Sequence, residues 1–409
     1  MIEQMISNLI PRWYLANSLV FSLGLSTNRG NMAAASSDPQ NWQIQPVEGE
    51  KESDQRGDLL LCISHYLLAP QHFITCEGIR WSKFSWRAAP LEAACATVRM
   101  GAAAIVSLVP LIVGSFLNIF VQREAARLQG DSRFSLTGKS ANPLPEKLRI
   151  FSLNICTFPG NWNAIFGSIE TSGHARLERL VQLFHEQKAD VICLQEVFEP
   201  AFAIELKDRL KQEGWEIALY NAGLDAKLPI TSGLFVASRV PVSRARYIPF
   251  EPWFSGQLPR GVLQLGVGGL DILVTHLTPS RDDLNPNADE MGKRKAEIAT
   301  IAEHLSDRPA VLVGDLNAEK KEFESIGPLD DLSPEGPTCT EQFTLDGEAR
   351  LLGKELAPEV QSTAFDRIFA KGVDVQSSIV PSFKDVRDPD PLSDHHGLVI
   401  ELSLPTEGV

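Results

Sequence analysis

Between residues 148 and 404 the chain falls into short apolar or alternating runs, each bounded by turn residues. They are LRIFSLNI (148–155), ADVICLQEV (189–197), SGLFVASRVPV (232–242), GVLQLGV (261–267), LDILVTHL (270–277), PAVLVGDLN (309–317), FDRIFAKG (365–372) and HGLVIELSL (396–404). Runs this short, rich in Val, Ile, Leu and Phe, predict strands. Two stretches between them, HARLERLVQLFHEQ (174–187) and KRKAEIATIAEHL (293–305), place apolar residues at three- and four-residue steps and predict helices. Eight such strands with interspersed helices constrain this part of the chain to an α/β domain, residues 148–409.

The first third is organised differently. Residues 1–58 predict a flexible polar arm with a weak signal-like stretch at 15–26, and Met32 is an alternative start. Residues 59–127 predict a membrane-associating region. Its main segment, MGAAAIVSLVPLIVGSFLNIFV (100–121), carries no charge and meets the length of a membrane helix, about 20 residues. Arg99, Arg123 and Arg127 flank it on both sides and give no orientation, while Pro110 near its midpoint favours a kinked or re-entrant course. The apolar patch 59–70 is too short to span alone. Residues 128–147, polar with Pro and Gly, predict a linker.

Composition narrows the chemistry. A net charge of −14 disfavours nucleic-acid partners, whose affinity rests on cationic contacts to phosphate. The six cysteines form no CxxC pair and no zinc pattern, which points to a reducing compartment without disulfides. P-loop, GxGxxG and GxSxG fingerprints are absent.

Polar residues instead gather at the ends of the predicted strands: Asn154, Glu196, His276, Asp315, Asn317, Asp366, Asp394 and His395. Loops at strand ends are where α/β sheets build their sites. Oxygen donors from Glu196, Asn154 and an aspartate suit Mg²⁺, with Mn²⁺ as an alternative, and leave the histidines free for proton transfer. In PLSDHHGLVI two histidines adjoin, and in an extended segment His395 and His396 point to opposite faces. His174, His185 and His304 fall in helical patterns and read as solvated. Trp253 and Phe254 read either as local packing or as rings for a lipid interface.

LNI, LQEV, THL, GDLN, FDRIFA and SDHHG, in this order, resemble the successive motifs of the endonuclease/exonuclease/phosphatase superfamily of Mg²⁺-dependent phosphoesterases. Within it, VICLQEVFEPAFAIELKDRL, SGLFVASRVPV and the apolar segment ahead of them are most similar to the membrane-associated neutral sphingomyelinases. The resemblance implies a two-sheet α/β sandwich preceded by a hydrophobic membrane-associating segment. It also implies a phosphodiesterase that releases ceramide and phosphocholine from sphingomyelin at a bilayer. Glu196 would be the principal metal ligand, with Asn154 close by and Asp394 near the metal or supporting the base. His395 would be the general base, oriented by Asp366. Asp315 would position the water or the base, while Asn317 and His276 would hold phosphoryl oxygens.

The chain departs from that pattern in two sets of side chains and in one loop. The loop between GDLN and FDRIF is short and ends ELAPEVQST, unlike the long insertions of the animal enzymes. Arg260-Gly261 stands where Lys-Gly is usual, which makes Arg260 the candidate substrate-binding cation, and RxxQ appears as Arg294 with Glu297. Arginine binds phosphate as a fork and lysine as a point charge, so substrate choice can differ. Two other readings stand beside the sphingomyelinase: a phosphoesterase of the same superfamily acting on an inositol phospholipid or nucleic acid, and a non-catalytic membrane-tethered scaffold.

Overall fold

The computed structural model describes residues 59–60, 120–121, 124, 134–158, 173–224, 231–250, 258–279 and 288–404, except 319, 321, 324, 341, 344–345, 347–361, 386–387 and 389. The chain divides into two units, 1–42 with 252–257 and 43–251 with 258–409; every described residue lies in the second. The expected arm, nearly all of segment 100–121 and the Trp253–Phe254 pair lie outside the described residues. Among the described residues no helix is long and apolar enough to cross a membrane.

The strands are β1 (Ser135–Thr137), β2 (Lys147–Thr157), β3 (Val191–Val197), β4 (Ile217–Tyr220), β5 (Phe235–Ser238), β6 (Arg244–Pro249), β7 (Gly261–Val267), β8 (Leu270–His276), β9 (Ala310–Asp315), β10 (Ser325–Ile326), β11 (Leu329–Asp331), β12 (Asp366–Lys371), β13 (Val375–Val380) and β14 (Gly397–Ser403). Three helices are described: α1 (Gly173–Glu186), α2 (Pro200–Gln212) and α3 (Ala288–Glu303). Sheet I has the order β1-β4-β5-β3-β2-β14-β13, and sheet II the order β10-β11-β12-β9-β8-β7-β6. The edge strand β1 comes from the stretch read as linker and pairs with β4.

Three apolar layers explain the stacking. One lies between the sheets and takes Leu148, Ile150, Val191, Cys193, Ile272, Val274, Val311, Val313, Ile368 and Leu398. A second joins the other face of sheet I to α1 and α2 through Leu177, Phe184, Phe202 and Leu206. The third joins sheet II to α3 through Leu273, Ile298, Ile301 and Leu312. Strands covered on both faces read as continuous apolar runs, which is why β2, β3, β8 and β9 are plain in the sequence. Each sheet is mixed: β2 and β3 run parallel, as do β8 and β9, and the other named pairs are antiparallel.

Close strand approach imposes one local requirement in sheet II. Gly314 sits opposite Thr275 with φ 143°, and a Cβ there would lie 2.0 Å from the Thr275 carbonyl oxygen. Only glycine fits this step, one residue ahead of Asp315. Gly314→Ala is expected to lower the unfolding free energy by about 2 kcal/mol or more in a denaturant titration. A loss below about 0.5 kcal/mol would show that the strand spacing is wrong.

Candidate active site

The inter-sheet core is apolar along most of its length and turns polar at one end. Alternate residues on a strand share a face. In β2 the inward series Leu148, Ile150, Ser152 ends in Asn154; in β8, Ile272 and Val274 lead to His276; in β9, Val311 and Val313 lead to Asp315. β12 runs the other way, so its first residue, Asp366, reaches the same end. Register places Asp366 opposite Asp315 and Asp315 opposite His276, a single row across sheet II.

Glu196 joins this row from sheet I only because its strand is distorted. Leu194 packs towards the helices, and simple alternation would put Glu196 there too. Instead Glu196 has φ 59°, Cys156 beside it on β2 has φ 48°, and the β2–β3 register shifts between Asn154 and Thr157. Such a bulge re-aims a side chain. A left-handed residue that is not glycine costs about 1–3 kcal/mol, so its surroundings must impose it. Here Thr157 Oγ1 donates to the Glu196 carbonyl at 2.6 Å, and the Val197 amide donates to Gly233 at 2.9 Å. A Cβ on Gly233 would come 3.0 Å from Glu196 Cα and 2.8 Å from the Phe198 ring. With the glycine in place, Glu196 Oε1 lies 3.8 Å from His276 Nε2.

Asp315 ties the two sheets together. Its Oδ2 accepts from Asn154 Nδ2 at 3.0 Å and its Oδ1 from the Asn317 amide at 2.8 Å. His276 Nε2 is 3.5 Å and His395 Nε2 3.8 Å from Oδ2. Asn317 donates its amide group to the Leu277 carbonyl at 3.0 Å. Burial, with the Arg260 and His395 charges, holds His276 well below the ordinary histidine value, so its ring is neutral. Among the described residues its buried Nδ1 has no hydrogen-bond partner.

His395 Nδ1 lies 2.7 Å from Asp366 Oδ2, which directs Nε2 towards Asp315. Its backbone is held by a bridge to Cys339, by its amide donating to Ser393 Oγ at 3.1 Å, and by Ser382 Oγ donating to its carbonyl. Burial opposes a charged ring here, yet Cys339, Asp366 and Asp315 together raise the His395 pKa well above 6.5. The Cys339 thiol is itself pushed up to about 12 by burial and stays neutral, so the two carboxylates carry the effect. His396 turns elsewhere: its ring stacks on Phe383 at 3.9 Å and accepts from the Ser382 amide.

Arg260 is drawn into support. One of its nitrogens donates to the carbonyls of His276 (3.0 Å) and Leu277 (2.6 Å). Glu297 accepts both the amide and the hydroxyl of Thr278, and Arg294 donates to the Thr278 carbonyl while gripping Glu322 with two nitrogens. The two side-chain departures noted in the sequence thus pin the turn that follows His276.

The donors suit a hard divalent cation. Glu196 is pushed up to about 7 by burial first, then by the Asp394 and Asp315 charges. Carboxylates that destabilise one another in this way are relieved by a cation among them, and with the Asn154 amide they form an all-oxygen donor set. Asp394 accepts from Ser393 Oγ at 3.3 Å. The fit is one of donor chemistry: among the described residues no three His, Cys, Asp or Glu side chains form a finished metal cluster. Thr157, Gly233 and Ser393 are supporting residues to which the sequence pattern gave no role: Thr157 stands two positions after LNI, Gly233 is the second residue of SGLFVASRVPV and Ser393 the first of SDHHG.

A family model for the Endonuclease/Exonuclease/phosphatase family matches residues 152–395. A comparison with curated proteins gives no match. Among solved structures the chain is similar to D. rerio TDP2 complexed with a single-strand DNA product (20% identity, 63% of this chain, 99% of that one, TM-score 0.46). It is similar to Sphingomyelinase C from Streptomyces griseocarneus (17%, 63%, 99%, TM-score 0.45) and to truncated Caenorhabditis elegans TDP2 (18%, 63%, 98%, TM-score 0.43). Likenesses at this level leave the substrate open.

His174, expected to be solvated, is instead partly buried, with 34% of its side chain exposed. It pairs with Glu205 and lies 3.7 Å from Glu199. Hydrogen bonding to Glu199 raises its pKa from 6.5 to about 9, against burial and with help from Glu205. A folded value above the unfolded one means that this pairing stabilises fully below pH 6.5 and is lost as pH rises through about 9. The melting-temperature gap between wild type and His174→Asn is therefore expected to be full at pH 6 and to close by about pH 10. A gap that stays constant over this range would contradict the pairing.

Proposed function

From membership in the Endonuclease/Exonuclease/phosphatase family, to which this chain belongs, we infer that it is a Mg²⁺-dependent phosphodiesterase hydrolysing sphingomyelin to ceramide and phosphocholine at a membrane surface. The family's members are phosphoesterases that generally use divalent metal ions. The observation that carries the chemical part of the reading is the His395–Asp366 contact of 2.7 Å, at the same buried edge as the raised carboxyl of Glu196. The lipid substrate is supported by the SGLFVASRVPV segment, whose glycine backs Glu196, and by the uncharged stretch 100–121.

Asp366 holds the Nδ1 side of the His395 ring, which leaves Nε2 for proton transfer. The carboxylates hold a proton on the ring, and charge repulsion from a cation held at Glu196 would lower its pKa, releasing Nε2 to take a proton from water. Asp366, with Asp315, favours the protonated ring that results. That water oxygen bonds to phosphorus in line as the bond to the ceramide oxygen breaks, and phosphocholine departs with the new oxygen. Neutral His276, with Asn317 beside it on the same edge, offers hydrogen bonds to the phosphoryl oxygens as charge builds on them. Asn154 is held at Asp315, next to Glu196, and with Glu196 and Asp394 would hold the divalent ion. When bound, that ion supplies charge neutralisation for the non-bridging and leaving oxygens.

Phosphocholine release from sphingomyelin vesicles in Mg²⁺ tests the reading, with inositol-lipid and plasmid-nicking arms alongside. Glu196→Ala and His395→Ala are each expected to cut turnover to about a hundredth or less while remaining folded. Retention of more than about a tenth by either variant would overturn the roles, and activity confined to plasmid or inositol lipid would overturn the substrate.

A further inference from the structure

α1 carries one charge on the face that packs against sheet I. Leu177, Leu180, Val181 and Phe184 of that face are apolar, and Arg176 lies among them with no exposed surface. A guanidinium so placed needs strong partners. One of its terminal nitrogens donates to the Ile155 carbonyl at 2.7 Å and also to the Leu392 carbonyl; the other donates to Cys156 at 2.7 Å.

The identity of those carbonyls matters more than their number. Ile155 and Cys156 directly follow Asn154 and form the bulge opposite Glu196. Leu392 directly precedes Ser393, Asp394 and His395. The two segments are 236 positions apart in sequence (392 − 156) yet share one side chain. A second cross-link runs beside the first: Ser393 Oγ donates to the Asn154 carbonyl and accepts from the His395 amide. Burial lowers the Arg176 pKa, while Cys156, then the Asp394 charge and, after them, the Glu196 charge push it back up.

We propose that Arg176 is a positioning residue that fixes the spacing between the carboxylate half of the site, Asn154 and Glu196, and the histidine half, Asp394 and His395. It holds the two backbones in register from behind, through the carbonyls of Ile155, Cys156 and Leu392. The planar fork reaches three carbonyls at once, which a single lysine ammonium cannot do. The turnover readout rests on the phosphodiesterase reading above, whereas the exchange readout is independent of it.

Arg176→Lys keeps the charge and most of the stem. In this variant kcat is expected to fall about 100-fold with KM within about threefold, since an error of about 1 Å in placement costs that much. Amide hydrogen exchange is expected to quicken about tenfold or more in segments 153–158 and 392–396, with β8 and β9 unchanged. Unchanged exchange in both segments, or kcat within about threefold of wild type, would overturn the proposal, as would loss of protection spread evenly over the domain. Should Arg176→Lys fail to fold, Ser393→Ala removes the companion link and is expected to show the same local pattern; no local change there would overturn it equally. If the wild type hydrolyses no phosphodiester while the local exchange pattern appears, the functional reading fails and the positioning role stands.

Discussion

A left-handed backbone at Glu196, φ 59°, turns a side chain that strand alternation would send under the helices into the gap between two sheets. The rest of the site is arranged around that turn. Thr157 and Gly233 impose it from either side, and Arg176 secures the β2 bulge next to it. Across the gap, Asp366, Asp315 and His276 stand in one register row. Strain at Glu196 is thus offset by contacts made by residues that do no chemistry.

Polarity changes abruptly along the inter-sheet layer. Valines, leucines and isoleucines fill most of it, with Ser152 and Cys193 among them, until the last inward positions of β2, β8 and β9, where an amide, a histidine and a carboxylate take over. Burial at that edge raises Glu196 and Asp315 and lowers His276, while the Asp366 and Asp315 charges raise His395, so environment sets neighbouring groups apart in protonation. Such divergence is the physical basis on which a cluster of ionisable groups becomes an acid–base and metal-binding edge.

Much of this was legible in the chain. β2, β3, β8, β9, β12 and β14 are continuous apolar runs because both faces are covered, and the polar residues closing or opening them are the ones the fold brings together. Other elements were less visible. Pro200 at the first position and Phe202, Leu206 and Leu210 at helical spacing signal α2, but Ala201, Ala203 and the charged residues between them leave only a narrow apolar stripe. β13, VQSSIV, is a half-exposed edge strand with little apolar signal, and β10 and β11 have two and three residues. Arg176 could have been suspected as a lone charge on an apolar helix face, but its partners are backbone carbonyls, which carry no sequence signature. Arg260 looks like a free cation in sequence and spends one nitrogen on the turn after His276.

The central claim is that Glu196, whose carboxyl is raised by burial and by the Asp394 and Asp315 charges, forms a cation site together with Asp394. Calorimetric titration of the purified chain with Mg²⁺ near neutral pH tests it without reference to any substrate. The account predicts one saturable binding event in the wild type, weakened about tenfold or more in Glu196→Gln. Absence of binding to the wild type, or equal affinity in the variant, would contradict it.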